Sequence, residues 1–101
     1  MSAPHVAHLE GEIDLANAAV IEAEVLEALG DAPALVVDLS AVTYFDSSGM
    51  RMLDGLAHAC GAAGIPMRVV APDGSPARMV LRIVAWPEER IAGSLDAALA
   101  G

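Results

Sequence analysis

Residues 35–50 read LVVDLSAVTYFDSSGM, and this run decides the fold. With Ala34 before it, the segment Ala34 to Leu39 is a short apolar run centred on two valines and bounded by turn-forming residues. That pattern predicts a strand buried on both faces, as strands of a parallel sheet are. Past the two aromatics, an aspartate and two serines stand directly before a helical pattern. From Ser48 to Ala63 the residues Met50, Leu53, Ala57 and Cys60 share one face, and Gly64-Ile65-Pro66 ends it. Met67 to Ala71 is a second β-branched strand. Strand, helix and strand in succession form a βαβ unit, which implies a right-handed crossover and parallel strands.

Upstream, His5 to Leu9 alternates loosely and meets Gly11, which predicts a short strand and a turn. Leu15 to Leu29 reads as a helix with Ala18, Ile21, Val25 and Leu29 on its apolar side and Glu24, Glu27 and Asp31 opposite. Asn17 is the N-cap candidate, and Gly30 to Pro33 supplies the stop. Downstream, Pro72 to Pro76 is a turn, a third helix runs from Ala77 to Val84, and a short strand lies near Arg90 and Ile91. Ser94 caps a last helix through Leu99. Without repeats or an internal linker, residues 1–101 are expected to form one α/β domain. About four helices pack on a small, mixed and mostly parallel sheet.

Composition narrows the function. The chain has 14 acidic residues against 5 basic ones, all arginines, for a formal charge of −9. Nucleic-acid binding needs clustered cations against phosphates, so that class is disfavoured, as is an anionic membrane surface. Cys60 is the single cysteine, which leaves no disulfide framework and suits a reducing compartment. The first 14 residues lack a basic and apolar leader, and no apolar run reaches the roughly 18 residues of a membrane span. The expectation is a cytoplasmic protein without membrane insertion.

The chemistry-bearing residues exclude more than they offer. A nucleophile elbow reads G-x-S-x-G, which the sequence around Ser47 and Ser48 does not match, and none of His5, His8 and His58 lies in a general-base context. A phosphate-binding loop and Schiff-base chemistry both need a lysine, and the chain has none. The spacings of His5, His8, His58 and Cys60 fit no standard zinc pattern, so neither metal nor cofactor is expected. Glu88 and Glu89 read as solvated turn carboxylates. At the corner itself, Asp46, Ser47 and Ser48 suit helix capping, worth about 1 kcal/mol. Gly49 fits capping less well, because glycine in a first turn costs roughly 0.5–1 kcal/mol relative to alanine. A glycine beside a serine also suits the close approach of a large partner, so capping and modification both stand. Arg51, Asp54 and His58 recur off the apolar stripe, as a solvated face or as part of a docking surface.

GEID at Gly11 to Asp14, the run from Leu35 to Met50, and the GSP turn at Gly74 to Pro76 together resemble the STAS domain. The resemblance extends from about Val6 to Leu99, and the free-standing length resembles the anti-sigma-factor antagonists. It implies a non-enzymatic regulator that binds an anti-sigma factor serine kinase and is switched off by phosphorylation of the first serine of D-S-S-G, here Ser47. Ser48 is the second choice. Asp46, Ser48, Gly49, Met50, Arg51 and Asp54 are the implied partner-binding residues, and a phosphatase is a further implied partner. The alternatives are a STAS subunit that docks on a transport ATPase or signalling assembly without being phosphorylated, and a small hydrolase using Ser47 or Ser48. Two departures stand out. The extra strand that usually precedes GEID is missing, which opens a sheet edge or a dimer contact, so a monomer or weak homodimer is expected. Ile83 to Trp86 also replaces the segment where relatives end the third helix on glycine.

Overall fold

The computed structural model describes residues 3–100. Along the chain it forms β1 (His5–Ile13), α1 (Ala18–Leu29), β2 (Leu35–Phe45), α2 (Ser47–Ala63), β3 (Met67–Val70) and α3 (Pro76–Ile83). A 3-10 turn (Glu88–Arg90), β4 (Ile91–Ala92) and α4 (Leu95–Ala100) follow. The strands lie in the order β1-β2-β3-β4, and each neighbouring pair is parallel. Right-handed crossovers that always step to the next strand in the same direction put their helices on one face. Accordingly α1, α2 and α3 share one core, with Leu35, Val37, Leu39 and Val69 from the sheet. The opposite face carries a smaller cluster of Val36, Val70, Ala92 and Ala98, where only α4 packs. The expected small sheet with four helices is thus what the chain forms, and its pairings are all parallel.

Two strands run further than their sequence patterns suggest. β2 continues six residues past Leu39 to Phe45, and β1 passes through Gly11 to Ile13. The register slips twice, between His8 and Glu10 and between Gly11 and Glu12, with the extra residue on β2 each time. Each slip turns the following β2 residues to the other face of the sheet. Val37, Leu39, Val42 and Phe45 therefore all reach the main core although their spacing is not alternate. Gly11 sits at the second slip with φ of 74°, a left-handed conformation that glycine adopts without penalty. β1 itself pairs on one side only, and among the described residues no strand precedes it.

The helix ends answer the question raised by Ile83 to Trp86. α2 ends on Gly64 with φ of 72°, and the amide of Ile65 reaches back to the carbonyl of Cys60. α3 ends in the same motif without a glycine: Ala85 has φ of 56°, its amide donates to Arg82 at 3.1 Å, and the Trp86 amide donates to Leu81 at 2.9 Å. This 6→1 and 5→2 pairing satisfies the last carbonyls, while the Trp86 side chain joins the core. Packing of Trp86 thus holds an alanine in the left-handed region, where a side chain costs roughly 1–2 kcal/mol. Ala85→Gly is expected to raise the melting temperature by a few degrees, about 0.5–1 kcal/mol after the entropy cost of glycine. A melt that shows no rise or a fall contradicts the strain.

At the helix starts, Ser75 caps α3 through the Arg78 amide and Ser94 caps α4 through the Ala97 amide. Asn17 occupies the α1 N-cap position, but its side chain turns back instead, accepting from the Asp14 amide and donating to the Glu12 carbonyl. The first helical residue is accordingly Ala18 rather than Leu15, which is left exposed in the preceding turn.

Candidate functional site

The corner between β2 and α2 is built by Asp46. Its backbone is extended, and its Oδ1 accepts from the amides of Ser48 at 2.8 Å and Gly49 at 3.4 Å. Its carbonyl accepts from Met50 at 3.0 Å. Two of the orphan donors of the first turn are therefore met by one side chain. Neither serine hydroxyl is used as a cap: among the described residues, no hydrogen bond from Ser47 Oγ or Ser48 Oγ is formed. Ser47 is exposed at the first helical position, whereas Ser48 is 8 % exposed and faces the cleft between α1 and α2 with Leu15, Glu22 and Arg51.

Gly49 has a local reason that the sequence does not reveal. A Cβ built on it lies 2.6 Å from Cε1 of Phe45, and all three nearest atoms belong to that ring. The space left by the glycine is filled by Phe45 from within the domain, so it is not the open approach path that the sequence suggested. Phe45 is 5 % exposed and has little freedom to yield. Gly49→Ala is expected to destabilise by about 1–3 kcal/mol through overpacking, despite alanine's better helix propensity. A thermal melt checks it, and a gain in stability contradicts the close contact.

Around this corner the exposed charges are mixed. Arg51, Asp54 and His58 all face solvent, and Arg51 forms no ion pair among the described residues. Tyr44 is exposed at the end of β2. The neighbouring Asp46 carboxylate raises its pKa, as a hydrogen-bond acceptor and as a charge, with Asp14 and Glu12 adding to the effect. On the other flank of α2, Met50, Asp54 and Ala57 line a groove opposite Val84, Ala85, Trp86, Pro87 and Arg90. Ser47, Met50, Asp54 and Ala57 follow one another at i, i+3, i+7 and i+10, so the exposed serine stands at the head of that groove. Beside it, Met79 and Ile83 of α3 and the following Val84 are exposed to solvent.

The other candidate chemistries are not assembled. Cys60 is buried, and burial pushes its thiol pKa up, away from the reactive thiolate. His8 is bonded to Asp38 through Nδ1 at 2.9 Å, and no histidine is hydrogen-bonded to Ser47 or Ser48. Among the described residues no three His, Cys, Asp or Glu side chains are grouped to hold a metal ion. Among the described residues no helix is long and apolar enough to cross a membrane. Of the six residues expected at a partner surface, Asp46, Arg51 and Asp54 reach solvent, while Ser48, Gly49 and Met50 are buried in the free domain. The groove's far wall, Val84 to Pro87, lies outside the six expected residues, although the departure at Ile83 to Trp86 pointed to this end of α3.

With α1 to α3 on one face of a parallel sheet, α4 on the other and an aspartate cap before the serine pair of α2, the chain belongs to the STAS domain family, whose model matches residues 3–98. Over 98 residues it is 36% identical to the anti-sigma-F factor antagonist RsfB of Mycobacterium tuberculosis, an alignment covering 95% of this chain and 79% of that protein. The crystal structure of an anti-sigma factor antagonist from Mycobacterium paratuberculosis superposes with a TM-score of 0.85 at 30% identity, over 96% of this chain and 83% of that one. The anti-sigma factor antagonist SpoIIAA in its unphosphorylated form shares the fold, with a TM-score of 0.78 at 19% identity over 97% of this chain and 86% of that one.

Proposed function

We propose that the protein is an anti-sigma factor antagonist: a non-enzymatic cytoplasmic regulator that binds an anti-sigma factor serine kinase and is released when Ser47 is phosphorylated. A phosphatase acting on Ser47 resets it. The observation that carries this reading is the division of labour at the corner. Asp46 caps the helix, Ser48 is buried, and the Ser47 hydroxyl is left exposed with no structural duty. The names of the relatives at 30–36% identity support the antagonist class.

The docking surface is the flank headed by Ser47, with Asp54 exposed along it and the apolar wall at Val84 to Pro87 beyond. Such a surface suits a partner that offers an apolar side chain to the groove and a cation to Asp54. Asp54→Arg and Val84→Asp are each expected to weaken kinase binding about tenfold or more in calorimetric titration, a loss of roughly 1.4 kcal/mol or above. Glu27→Arg, on the exposed side of α1, should leave affinity unchanged. If both groove variants bind as tightly as the parent protein, the partner docks elsewhere.

A further inference from the structure

Arg78 extends from α3 into a junction behind the groove wall. Its side chain is only 13% exposed, and a cation so deeply placed needs partners for its donors. Nη1 donates to the carbonyl of Ala71, just past the end of β3, at 2.7 Å. Nη2 donates to Oε2 of Glu88 at 3.4 Å, while Asp73 lies further off at 3.9 Å. Asp73 is held instead by Arg82, at 2.9 Å. Nε is buried and has no partner among the described residues. One guanidinium thus joins α3, the end of β3 and the 3-10 turn at Glu88–Arg90. An apolar side chain would fill the same space without an unmet donor, so what the arginine adds is this three-way geometry.

We infer that Arg78 is a positioning residue for the groove: by latching Glu88 it fixes the wall from Val84 to Pro87 opposite α2. That wall is a short span with an anchor at each end. Upstream, the amides of Val84, Ala85 and Trp86 are bonded to the last carbonyls of α3. Downstream, the turn closes on itself through the Arg90 amide and the Pro87 carbonyl, and Glu88 ties it to Arg78 before the chain enters β4. Between the anchors Val84 and Ala85 are exposed, so the burial of Trp86 is the remaining hold. Releasing Glu88 lets the wall open away from Met50, Asp54 and Ala57 and admits solvent to Trp86. Lysine does not substitute here: one ammonium can serve the Ala71 carbonyl, but it lacks the planar fork that spans to Glu88 as well. Glu88 is 68% exposed, so the pair adds little to global stability and its effect is local. The consequence for kinase binding rests on the docking surface proposed above; the position of the wall does not.

Trp86 is the single tryptophan, is 9% exposed and lines the groove, which supplies a readout that needs no partner. Acrylamide quenching of its fluorescence is measured in the full chain carrying Arg78→Lys or Glu88→Arg. The second variant sets two guanidinium groups against each other at an exposed position. Both are expected to raise the quenching constant about twofold or more, with the melting temperature nearly unchanged. Both should also weaken kinase binding about fivefold or more in calorimetric titration. Glu89→Arg makes the same charge change one residue on, at an equally exposed site outside the junction, and should leave quenching and affinity at the parent's values. Quenching that stays at the parent's value in both variants, or rises only in step with a lower melting temperature, overturns the inference. So does raised quenching with unchanged affinity when Val84→Asp loses binding. If Val84→Asp binds like the parent, the docking surface falls, and the quenching alone decides whether Arg78 holds the wall.

Discussion

A phosphate on Ser47 is expected to weaken binding of the anti-sigma factor kinase by roughly 30-fold or more, while leaving the melting temperature nearly unchanged. The two halves of this expectation have separate causes. Within the domain the phosphate, which adds about −1.5 to −2 charges at neutral pH, sits at the exposed N-terminus of a 17-residue helix whose dipole favours an anion. Asp46 already holds the Ser48 and Gly49 amides, so the phosphate gains no strong new bond. Arg51 is the single basic Lys or Arg side chain on α2 to balance it. In the complex, a partner packed on this flank must desolvate that charge or withdraw, and an uncompensated charge at an interface costs about 2–5 kcal/mol. Ser47→Ala removes only a hydroxyl and should bind normally. Ser47→Glu carries one charge of the wrong shape and should fall between the two. Equal affinity of phosphorylated and unmodified protein, measured by calorimetry, contradicts the switch. Loss of binding in a folded Ser47→Ala variant instead makes the hydroxyl a contact.

Leu53→Asp is expected to abolish the fold at ambient temperature. Leu53 is 0% exposed in the main core, on the side of α2 that faces the sheet. The substitution removes a leucine's burial, worth about 2–5 kcal/mol with its cavity, and places a carboxylate where no cation is available. A domain of this size has roughly 5–15 kcal/mol of stability in total, so the combined cost consumes most of it. Circular dichroism should show a chain without a cooperative melt. An unchanged melting temperature contradicts the register of α2, and with it the placement of Ser47 at the exposed end.

The parts of the fold that could be read from sequence are those where periodicity and packing agree. The valine-rich start of β2, the stripe on α2 and the β-branched β3 each follow one spacing, so the βαβ unit and the parallel sheet were legible. The second half of β2 was not. Its two slips change which side chains face inward, and Ser40, Ala41, Thr43 and Tyr44 are exposed, so no simple alternation remains. Gly11 reads as a turn in sequence, yet it is the left-handed residue that carries β1 through the second slip. Asn17 has the right identity for a cap, but its carbonyl and amide are engaged upstream. At the site, D-S-S-G announced the corner, while the allocation of tasks within it depended on three dimensions. Only the packing of Phe45 on Gly49 explains the glycine, and only the geometry of Asp46 frees Ser47 from capping. The groove wall at Trp86 was visible as a departure from the family pattern; that Ala85 could close α3 in place of glycine followed from the packing of Trp86.

The most direct test of the Ser47 switch is intact mass followed by site mapping, after incubation with ATP and each anti-sigma-type kinase of the source genome. A single added phosphate, mapped to Ser47 and absent from Ser47→Ala, is the expected result. Phosphate on Ser48 or elsewhere, or none from any kinase under conditions where a working kinase and antagonist pair reacts, contradicts the assignment of Ser47 as the acceptor.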